Sequence, residues 1–401
     1  MAMSKWMIPA IALAAAPLAA QQAGARLSVR AENPLAVERQ DETIALPWAA
    51  VQRQLPAARA GMVRVLGADG QEVTSQVLDN EGDGKPDSLL FQASFWPRES
   101  KLFTVEAAAP AAKAPSRVFI RHDEPRDDVA WESDRIAFRI YGEGLKKTPS
   151  AMSSSGIDVW VKSVHALVVE KWYTKGHDSY HIDTGEGADF YDVGETLGNG
   201  GTAVWRNDTM YRADNFKAYR IIANGPVRAI FELRYDPWDA AGMKVSETKR
   251  FSIDGGQNLY RQESVFRLEG GSTAAEIPYV IGELKRPGMV GVMSKAQPWA
   301  WLTGWGKLAP KNGGHGEMGT AVLLPRERVR DWKETGDHYL AVSAATPGQP
   351  VVHYIGAGWT ASGDFPTPQS WFAYLDAFAQ RLASPIKVTT GAAAVSTASS
   401  R

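Results

Sequence analysis

The chain has 401 residues, of which 44% are hydrophobic and 22% are charged, and this is enough apolar sequence for a large core and for two domains. The formal net charge of -1 excludes the concentrated basic surface by which proteins bind nucleic acids or anionic membranes. The absence of cysteine excludes disulfide bonds and a lipid-modified N-terminal cysteine.

The N-terminus has the features of a secretory signal peptide. Lys5 precedes an apolar run of about fifteen residues, and the small residues Ala23 and Ala25 frame a cleavage pattern. The alternative is a membrane anchor, which requires a span of roughly 20 apolar residues. We therefore predict that residues 1–25 are cleaved near Ala25, that the mature protein is periplasmic, and that it does not insert into a membrane.

Short alternating runs separated by turn residues occupy residues 26–106. Apolar and polar residues alternate in Met62–Leu66 and in Val73–Leu78, and Asp69-Gly70 separates the two runs. This spacing is typical of antiparallel strands joined by tight turns. We predict a small β-sandwich over residues 26–106, followed by a linker rich in alanine and proline over residues 107–116.

A polar loop between two of these strands contains the front half of an EF-hand calcium loop. Asp79, Glu81, Asp83 and Asp87 occupy positions one, three, five and nine, and a glycine stands at position six. Position twelve is Leu90, so the bidentate glutamate is missing. The loop is therefore either a Ca²⁺ site or a polar turn without metal, and the missing ligand favours the turn.

Longer alternating runs predict a large antiparallel sheet over residues 117–390. The runs are Trp131–Tyr141, Val227–Tyr235, Val245–Ile253 and Leu259–Phe266. Thr367 and Pro368 then open a helical pattern that stops before Pro385. The fold class that we predict is mostly β with one C-terminal helix, and residues 391–401 are predicted to be a disordered tail.

The segment from residue 171 to residue 201 is the candidate site. It is long, polar and rich in glycine, and segments of this kind are usually positioned by a rigid scaffold for binding or chemistry. His177 and His181 are four residues apart, which suits two metal ligands or an acid and a base that flank one sugar ring. The glycines argue against a helix at the histidines. The alternative is that the two histidines make structural hydrogen bonds. We select His177, Tyr180 and His181 as candidate catalytic residues.

The same segment carries six carboxylates and no lysine or arginine between residues 178 and 195. Like charges at this density turn to solvent, take a proton or share a cation. Asp183, Glu186 and Asp189 recur at intervals of three and could bind Ca²⁺. The alternative, that most of the six cap turns and pair with basic residues downstream, is favoured.

A second loop combines tryptophans, glycines and a histidine. Indole rings can stack on the apolar face of a pyranose, although core packing is the default for any single tryptophan. Trp305 and His315 are the residues of this loop that we select as candidate saccharide contacts.

Five runs of the sequence resemble a bacterial family that is known only as domain of unknown function 4861. The runs are WESDRIAFRIYG, IDVW, YHIDTGEGADFYDVGETLGNGG, NGPVRAIFELRY and ETKRFSIDGGQNL. The GPVR strand and the ETK strand after it are also similar to the β-supersandwich of galactose-mutarotase-like proteins. The resemblance implies a large antiparallel β-supersandwich after the small sandwich. It also implies an exported protein that acts on acidic oligo- or polysaccharides of the pectin type.

β-Elimination from a uronate is the leading functional hypothesis. Histidine and tyrosine would transfer the protons, and arginine or a metal such as Ca²⁺ would neutralise the sugar carboxylate. The alternatives are a glycoside hydrolase that uses two carboxylates, a sugar epimerase, and a non-catalytic saccharide-binding protein. The candidate substrate-binding residues are Lys175, Tyr191, Arg206, Arg228, Trp305 and His315.

Overall fold

The computed structural model describes residues 25–148, 151–308 and 314–392. In these residues the chain is mostly β, each ladder between the strands named below is antiparallel, and a helix lies near the C-terminal end, so the predicted fold class is confirmed. The predicted signal peptide lies outside the described residues except for Ala25. Within the described residues, no helix is both long enough and apolar enough to cross a membrane.

Two sheets form the N-terminal sandwich. Its strands are β1 (Arg26–Glu32), β2 (Arg39–Pro47), β3 (Arg64–Gly67), β4 (Glu72–Val73), β5 (Ser75–Leu78), β6 (Ser88–Phe95), β7 (Ser100–Glu106) and, from the other end of the chain, β26 (Lys387–Ala392). One sheet has the order β26-β1-β7-β3-β4 and the other β2-β6-β5. The alternation of buried and exposed residues along β1 directs Val29 into a core that also contains Phe91 and Phe103.

Three further sheets form the large part of the molecule. The first has the order β12-β11-β10-β9-β8, the second β14-β13-β19-β24-β23, and the third β15-β16-β17-β18-β25-β22-β21-β20. Their strands are β8 (Val118–Asp123), β9 (Asp128–Ser133), β10 (Ala137–Tyr141), β11 (Asp158–Lys162), β12 (Gly187–Asp189), β13 (Asn199–Arg206), β14 (Thr209–Arg212), β15 (Ala218–Asn224), β16 (Arg228–Ala240), β17 (Met243–Asp254), β18 (Leu259–Leu268), β19 (Ile277–Leu284), β20 (Val290–Ser294), β21 (Trp299–Lys307), β22 (Glu317–Pro325), β23 (Asp331–Glu334), β24 (His338–Ala345) and β25 (Pro350–Trp359).

The large core contains residues from all three of these sheets. Trp131 on β9 is fully buried, and its ring lies 5.0 Å from that of Phe231 and 5.1 Å from that of Phe251, on β16 and β17. Burying rings of this size provides much of the free energy that holds sheets together. Strand β9 therefore has a fixed position, and so do the site residues on β10, which pairs with β9, and on β11, which pairs with β10.

Helix α3 (Pro368–Ala383) has the predicted N-terminus. The Thr367 hydroxyl accepts the N–H of Ser370 in a capping box, and Pro368 occupies the first turn, where a missing N–H costs nothing. Trp371, Leu375 and Phe378 are buried against the eight-stranded sheet. The helix predicted here is therefore confirmed.

Two short helices are not visible in the hydrophobic pattern. They are α1 (Trp48–Gln54) and α2 (Val169–Thr174), and α2 is followed by a 3₁₀ helix over His177–His181. The expectation that glycines prevent helix formation at the histidines is thus wrong, because Gly176 adopts a φ of 96° and ends the first helix without preventing the second.

Candidate active site

A buried ion pair anchors the start of the segment that carries the histidines. The Glu132 carboxylate accepts the N–H groups of Val168 and Val169 at 2.8–3.0 Å, at the N-terminus of α2. Lys162 donates to the same carboxylate at 2.8 Å, and both charged side chains are 0% exposed. The carboxylate thus satisfies helix N–H groups that would otherwise be buried without partners.

The histidine segment closes one side of a cavity of about 470 Å³, which we call the histidine cavity. Strands β10, β11 and β12 contribute Arg139, Tyr141, Asp158 and Asp189. The full set of lining residues is Arg126, Arg139, Tyr141, Leu145, Met152, Asp158, His177, His181, Asp189, Asp192, Val193 and Gly194. The volume lies in the range of small-ligand sites.

The two predicted histidines both line this cavity. Their rings are 5.0 Å apart at 63°, and both side chains are partly exposed. The Nδ1 atom of His181 lies 3.4 Å from a carboxylate oxygen of Asp189. Burial lowers the pKa of His181 below its usual 6.5, so the imidazole is neutral at neutral pH.

Tyr180 lies beneath the histidines and does not line the cavity. Its ring is buried and stacks at 4.6 Å on Trp160, and the Arg139 guanidinium lies 5.5 Å from its centre. Burial raises the pKa of the Tyr180 phenol to about 12, so the phenol stays protonated. Tyr180 therefore supports the histidines from below.

A buried pair of carboxyl groups forms the floor of the cavity. Burial raises the pKa of Asp158, and burial and the neighbouring charge of Asp158 raise that of Asp189 well above its usual range. Tyr141 donates its hydroxyl hydrogen to Asp158 at 3.0 Å. Two carboxyl groups so placed cannot both ionise easily, so the pair retains a proton to a higher pH than an isolated carboxyl group does.

Positive charge on the cavity wall comes from two arginines. Arg139 is buried and its Nη2 lies 2.6 Å from an Asp128 oxygen, so its charge is neutralised locally. Arg126 is half-buried, and its Nη1 lies 3.4 Å from Asp123.

The predicted metal ligands of this segment have separate partners. Asp183 accepts the N–H groups of Gly185 and Gly187 at 2.7 and 3.0 Å, and Glu186 pairs with Lys171 at 2.5 Å. Of these three predicted ligands, only Asp189 lines the cavity. Within residues 25–148, 151–308 and 314–392, no three His, Asp or Glu side chains are grouped so that they could hold a metal ion.

The loop that begins at Asp79 is a hydrogen-bonded turn. Asp79 accepts three backbone N–H groups, those of Gly82, Asp83 and Gly84, and Asp87 accepts the N–H of Asn80 at 2.6 Å. Asp83 pairs with Lys85 at 2.9 Å, and Glu81 is exposed. The carboxylates thus stabilise the turn through their own backbone, as Asp side chains commonly do in turns.

None of the predicted substrate-binding residues lines the histidine cavity. Lys175 is exposed at the end of α2, and Tyr191 is buried under the Arg286 guanidinium at 4.1 Å. Arg206 donates to two backbone carbonyl groups at 3.0 Å, and Arg228 forms a bidentate pair with Asp254.

The tryptophans predicted to lie in a second loop are in strand β21, which packs against α3. Trp305 is buried in the cluster that contains Trp371 and donates its indole N–H to Glu317 at 2.9 Å. The His315 ring stacks on the ring of Phe190 at 3.7 Å, and Phe190 directly follows Asp189 in the chain. The structure thus brings His315 to the back of the site segment and leaves Trp305 in the core.

Sequence reasoning missed Arg139, Tyr141 and Asp158. Each lies in a strand whose residues are all buried, where the apolar neighbours predict only a core. A signal was nevertheless present, because Arg139 stands between Phe138 and Ile140, and a charge inside an apolar strand requires a buried partner.

Comparisons with known proteins identify a family and a relative with a similar sequence. A family model described as Domain of unknown function (DUF4861) matches residues 31–388. A protein from Formosa agariphila, described only as uncharacterized, is 31% identical over 335 residues, which is 79% of this chain and 81% of the relative.

Two solved structures from Enterococcus faecalis also match. One, a protein in glycosyl hydrolase family 38, has a TM-score of 0.49 at 10% identity and matches 92% of this chain and 47% of its own. The other, an alpha-mannosidase, has a TM-score of 0.44 at 8% identity and matches 92% of this chain and 46% of its own. The chain thus spans about half the length of these two proteins.

Proposed function

Because the chain belongs to the family described as Domain of unknown function (DUF4861), whose description names no activity, we propose a function from the chemistry of the histidine cavity. The proposed function is acid–base catalysis on an acidic saccharide, with β-elimination as the reaction. The observation that carries this proposal is the pair of imidazoles 5.0 Å apart over a cavity with a buried carboxyl pair.

The lining of the cavity supports a saccharide as substrate. Carboxyl, imidazole and guanidinium groups offer both donors and acceptors to hydroxyl groups, and Arg126 can pair with a sugar carboxylate. Leu145, Met152 and Val193 offer an apolar surface to the C–H face of a ring. The resemblance of the sequence to proteins of uronic-acid polysaccharide breakdown favours an acidic sugar.

Proton transfer begins at His181. Its neutral imidazole takes the proton from the carbon beside the sugar carboxylate, while Arg126 and the protonated carboxyl pair stabilise the charge that develops on that carboxylate. The electron pair of the broken C–H bond becomes a carbon–carbon double bond as the neighbouring C–O bond breaks. His177 then acts as the general acid and gives a proton to the leaving oxygen.

Glycoside hydrolysis is the second candidate, and the raised pKa of Asp189 favours it. A carboxyl group whose pKa is raised by burial can serve as the general acid, as it does in many glycosidases. Asp158 or Asp192 would then activate water or attack the sugar.

A single activity screen tests both candidates. The purified protein is incubated with polygalacturonate, rhamnogalacturonan and alginate, and the absorbance of the conjugated enoate and the reducing sugar are recorded. Growth of the enoate band is expected, whereas reducing sugar without that band indicates hydrolysis. Saturable binding with neither product would refute catalysis and leave a binding protein.

The screen includes His165→Ala as a matched control for His181→Ala. His165 is also partly exposed but pairs with Arg135 and Asp364, outside the cavity. Added Ca²⁺ and a chelator in parallel incubations test the expected role of calcium, and fractionation of cells that express the full chain tests the proposed periplasmic location.

A further inference from the structure

A second large cavity lies where the N-terminal sandwich, the eight-stranded sheet and α3 meet. We call it the junction cleft, and its volume is about 450 Å³. Strand β2 contributes Arg39 and Glu42, strand β18 contributes Arg261, and α3 contributes Phe378 and Arg381. It shares no lining residue with the histidine cavity.

Two arginines of the cleft have N–H groups without a partner among the described residues. Arg39 is 2% exposed, and its Nη atoms donate to the Ser384 carbonyl at 2.7 Å and to Glu42 at 2.9 Å. Arg381 donates to the same Glu42 at 3.1 Å. The Nε atoms of both arginines are buried and unpaired. A guanidinium group has only hydrogen-bond donors, so the partner that these two Nε–H groups lack is a hydrogen-bond acceptor.

The carboxylates of the cleft are already occupied. Glu42 accepts from both arginines, Asp254 holds Arg228 at 2.5 and 2.7 Å, and Asp41 holds Arg117 at 2.7 Å. No carboxylate oxygen of the lining remains buried without a donor in the described part of the chain. The cleft therefore favours a ligand with anionic oxygens over one that offers only donors.

The remaining wall of the cleft is apolar. Phe378, Leu382 and Ile386 line it, and Tyr354 adds a ring 5.4 Å from that of Phe378. A wall of guanidinium groups together with an apolar wall complements a sugar that has an anionic group on its rim and C–H groups on its face.

The cleft continues along the outer face of the sheet. A neighbouring cavity of about 460 Å³ shares Arg228, Ser252 and Arg261 with it and extends to Arg250 and Glu263. A groove of this length is suited to several linked units rather than to one monosaccharide.

We propose that the junction cleft is a second binding site for an acidic oligosaccharide, separate from the site of chemistry. The class of ligand rests on the proposed function. Strand β8 connects the two sites, because Arg117 before it pairs with Asp41 of the cleft and Asp123 at its end pairs with Arg126 of the cavity. Six residues of strand span roughly 20 Å, so the two sites lie at opposite ends of this strand.

Titration calorimetry with hexagalacturonate tests this proposal. The expected result is binding to the wild type at two sites, and a dissociation constant about tenfold higher at one of them in Arg381→Gln, because a charge-assisted hydrogen bond is lost. Arg267→Gln is the matched control, since Arg267 lies on the same strand as Arg261 but lines neither cavity. Maltohexaose, which has no carboxylate, should bind more weakly.

Two outcomes would overturn the proposal: no binding of hexagalacturonate outside the histidine cavity, or unchanged binding in Arg381→Gln. Arg261→Gln provides a second variant if Arg381→Gln does not fold. Turnover is measured separately, so that a protein without lyase or hydrolase activity that still loses one binding site in Arg381→Gln would refute the proposed function and support the junction cleft.

Discussion

Burial acts in opposite directions on the ionisable groups of His181 and Asp189. It lowers the pKa of the imidazole and raises that of the carboxyl group, although the two side chains are 3.4 Å apart and would attract each other if both were charged. The cost of removing charge from water exceeds this attraction for Asp189, which also faces the charge of Asp158. We infer a neutral pair, in which the imidazole can accept a proton and the carboxyl group can donate one.

The first prediction concerns the two histidines. His181→Ala or His177→Ala should abolish turnover while the thermal unfolding temperature stays nearly unchanged, because both rings are partly exposed and add little to the core. Initial rates on polygalacturonate and a thermal melt measure the two effects, with His165→Ala as the control. A wild-type rate in both variants would contradict the proposed role.

The second prediction is the pH dependence of catalysis. The reaction requires a neutral His181, and the pKa of that imidazole lies below 6.5. The acid limb of kcat/KM, on which the base becomes protonated, should therefore lie below pH 6.5. A pH profile of initial rates measures the position of the acid limb, and a limb above pH 6.5 would exclude His181 as the base.

The third prediction concerns Asp189. Folding opposes the ionisation of a carboxyl group whose pKa is raised in the folded state. The folded protein therefore loses stability as the pH rises through that pKa. Asp189→Asn removes the ionisable group, so the variant should unfold at a higher temperature than the wild type at pH 8. The difference should shrink as the pH falls. Asp183→Asn, at an exposed turn, is the control, and thermal melts across pH measure both variants.

Individual site residues could be predicted only where the local sequence was unusual. The polar, glycine-rich surroundings of His177 and His181 led to the selection of these two as candidate catalytic residues, and both line the histidine cavity. Asp158 could not be found in this way, because its neighbours predict a buried strand and its partner Asp189 is distant in sequence. Trp305 was selected as a saccharide contact because glycines surround it in the sequence. The helix that covers it, α3, lies elsewhere in the chain.

At the scale of elements, α2 depends on a tertiary contact. No side chain of its own segment caps it, and Glu132 from β9 accepts the first N–H groups. In contrast, α3 carries its cap, its proline and its apolar stripe in its own sequence. This difference explains why the sequence predicts α3 and not α2: the hydrogen-bond partners of α2 become visible only when the sheet is formed.

The fourth prediction tests this anchor. Glu132→Gln leaves the Lys162 ammonium buried without its charge partner, and breaking such a pair costs about 3–5 kcal/mol. The free energy of unfolding should fall by about this amount in urea denaturation, and turnover should fall with it because α2 leads into the histidine segment. Glu170→Gln, an exposed change in the first turn of the same helix, is the control. A loss below about 1 kcal/mol would show that the pair does not anchor the helix.

At the scale of the whole molecule, the chain returns to the place where it starts. Strand β26 pairs with β1 along its length, from Leu27 opposite Ala392 to Glu32 opposite Lys387, and forms the edge of the N-terminal sandwich. It thus extends into the segment for which the sequence predicts a tail, as far as Ala392. Pairing between such distant segments leaves no local signal in either of them.

The fifth prediction follows from this pairing. Deleting residues 387–401 exposes the backbone N–H and C=O groups of β1 and should speed amide hydrogen exchange in Arg26–Glu32, while exchange in β16 and β17 changes little. Deleting only residues 393–401 is the control, because it keeps β26. Unchanged exchange in β1 after the longer deletion would contradict the prediction.

The pairing of β26 with β1 also determines when the N-terminal sandwich can be completed during synthesis. The ribosome synthesises Arg26–Glu32 long before Lys387–Ala392. The edge of β1 that pairs with β26 therefore has no partner strand while hundreds of further residues are synthesised. An unprotected strand edge of this kind invites pairing with other chains. Premature termination anywhere upstream would leave this edge open permanently, so shortened translation products should be aggregation-prone even when their remaining sheets are intact.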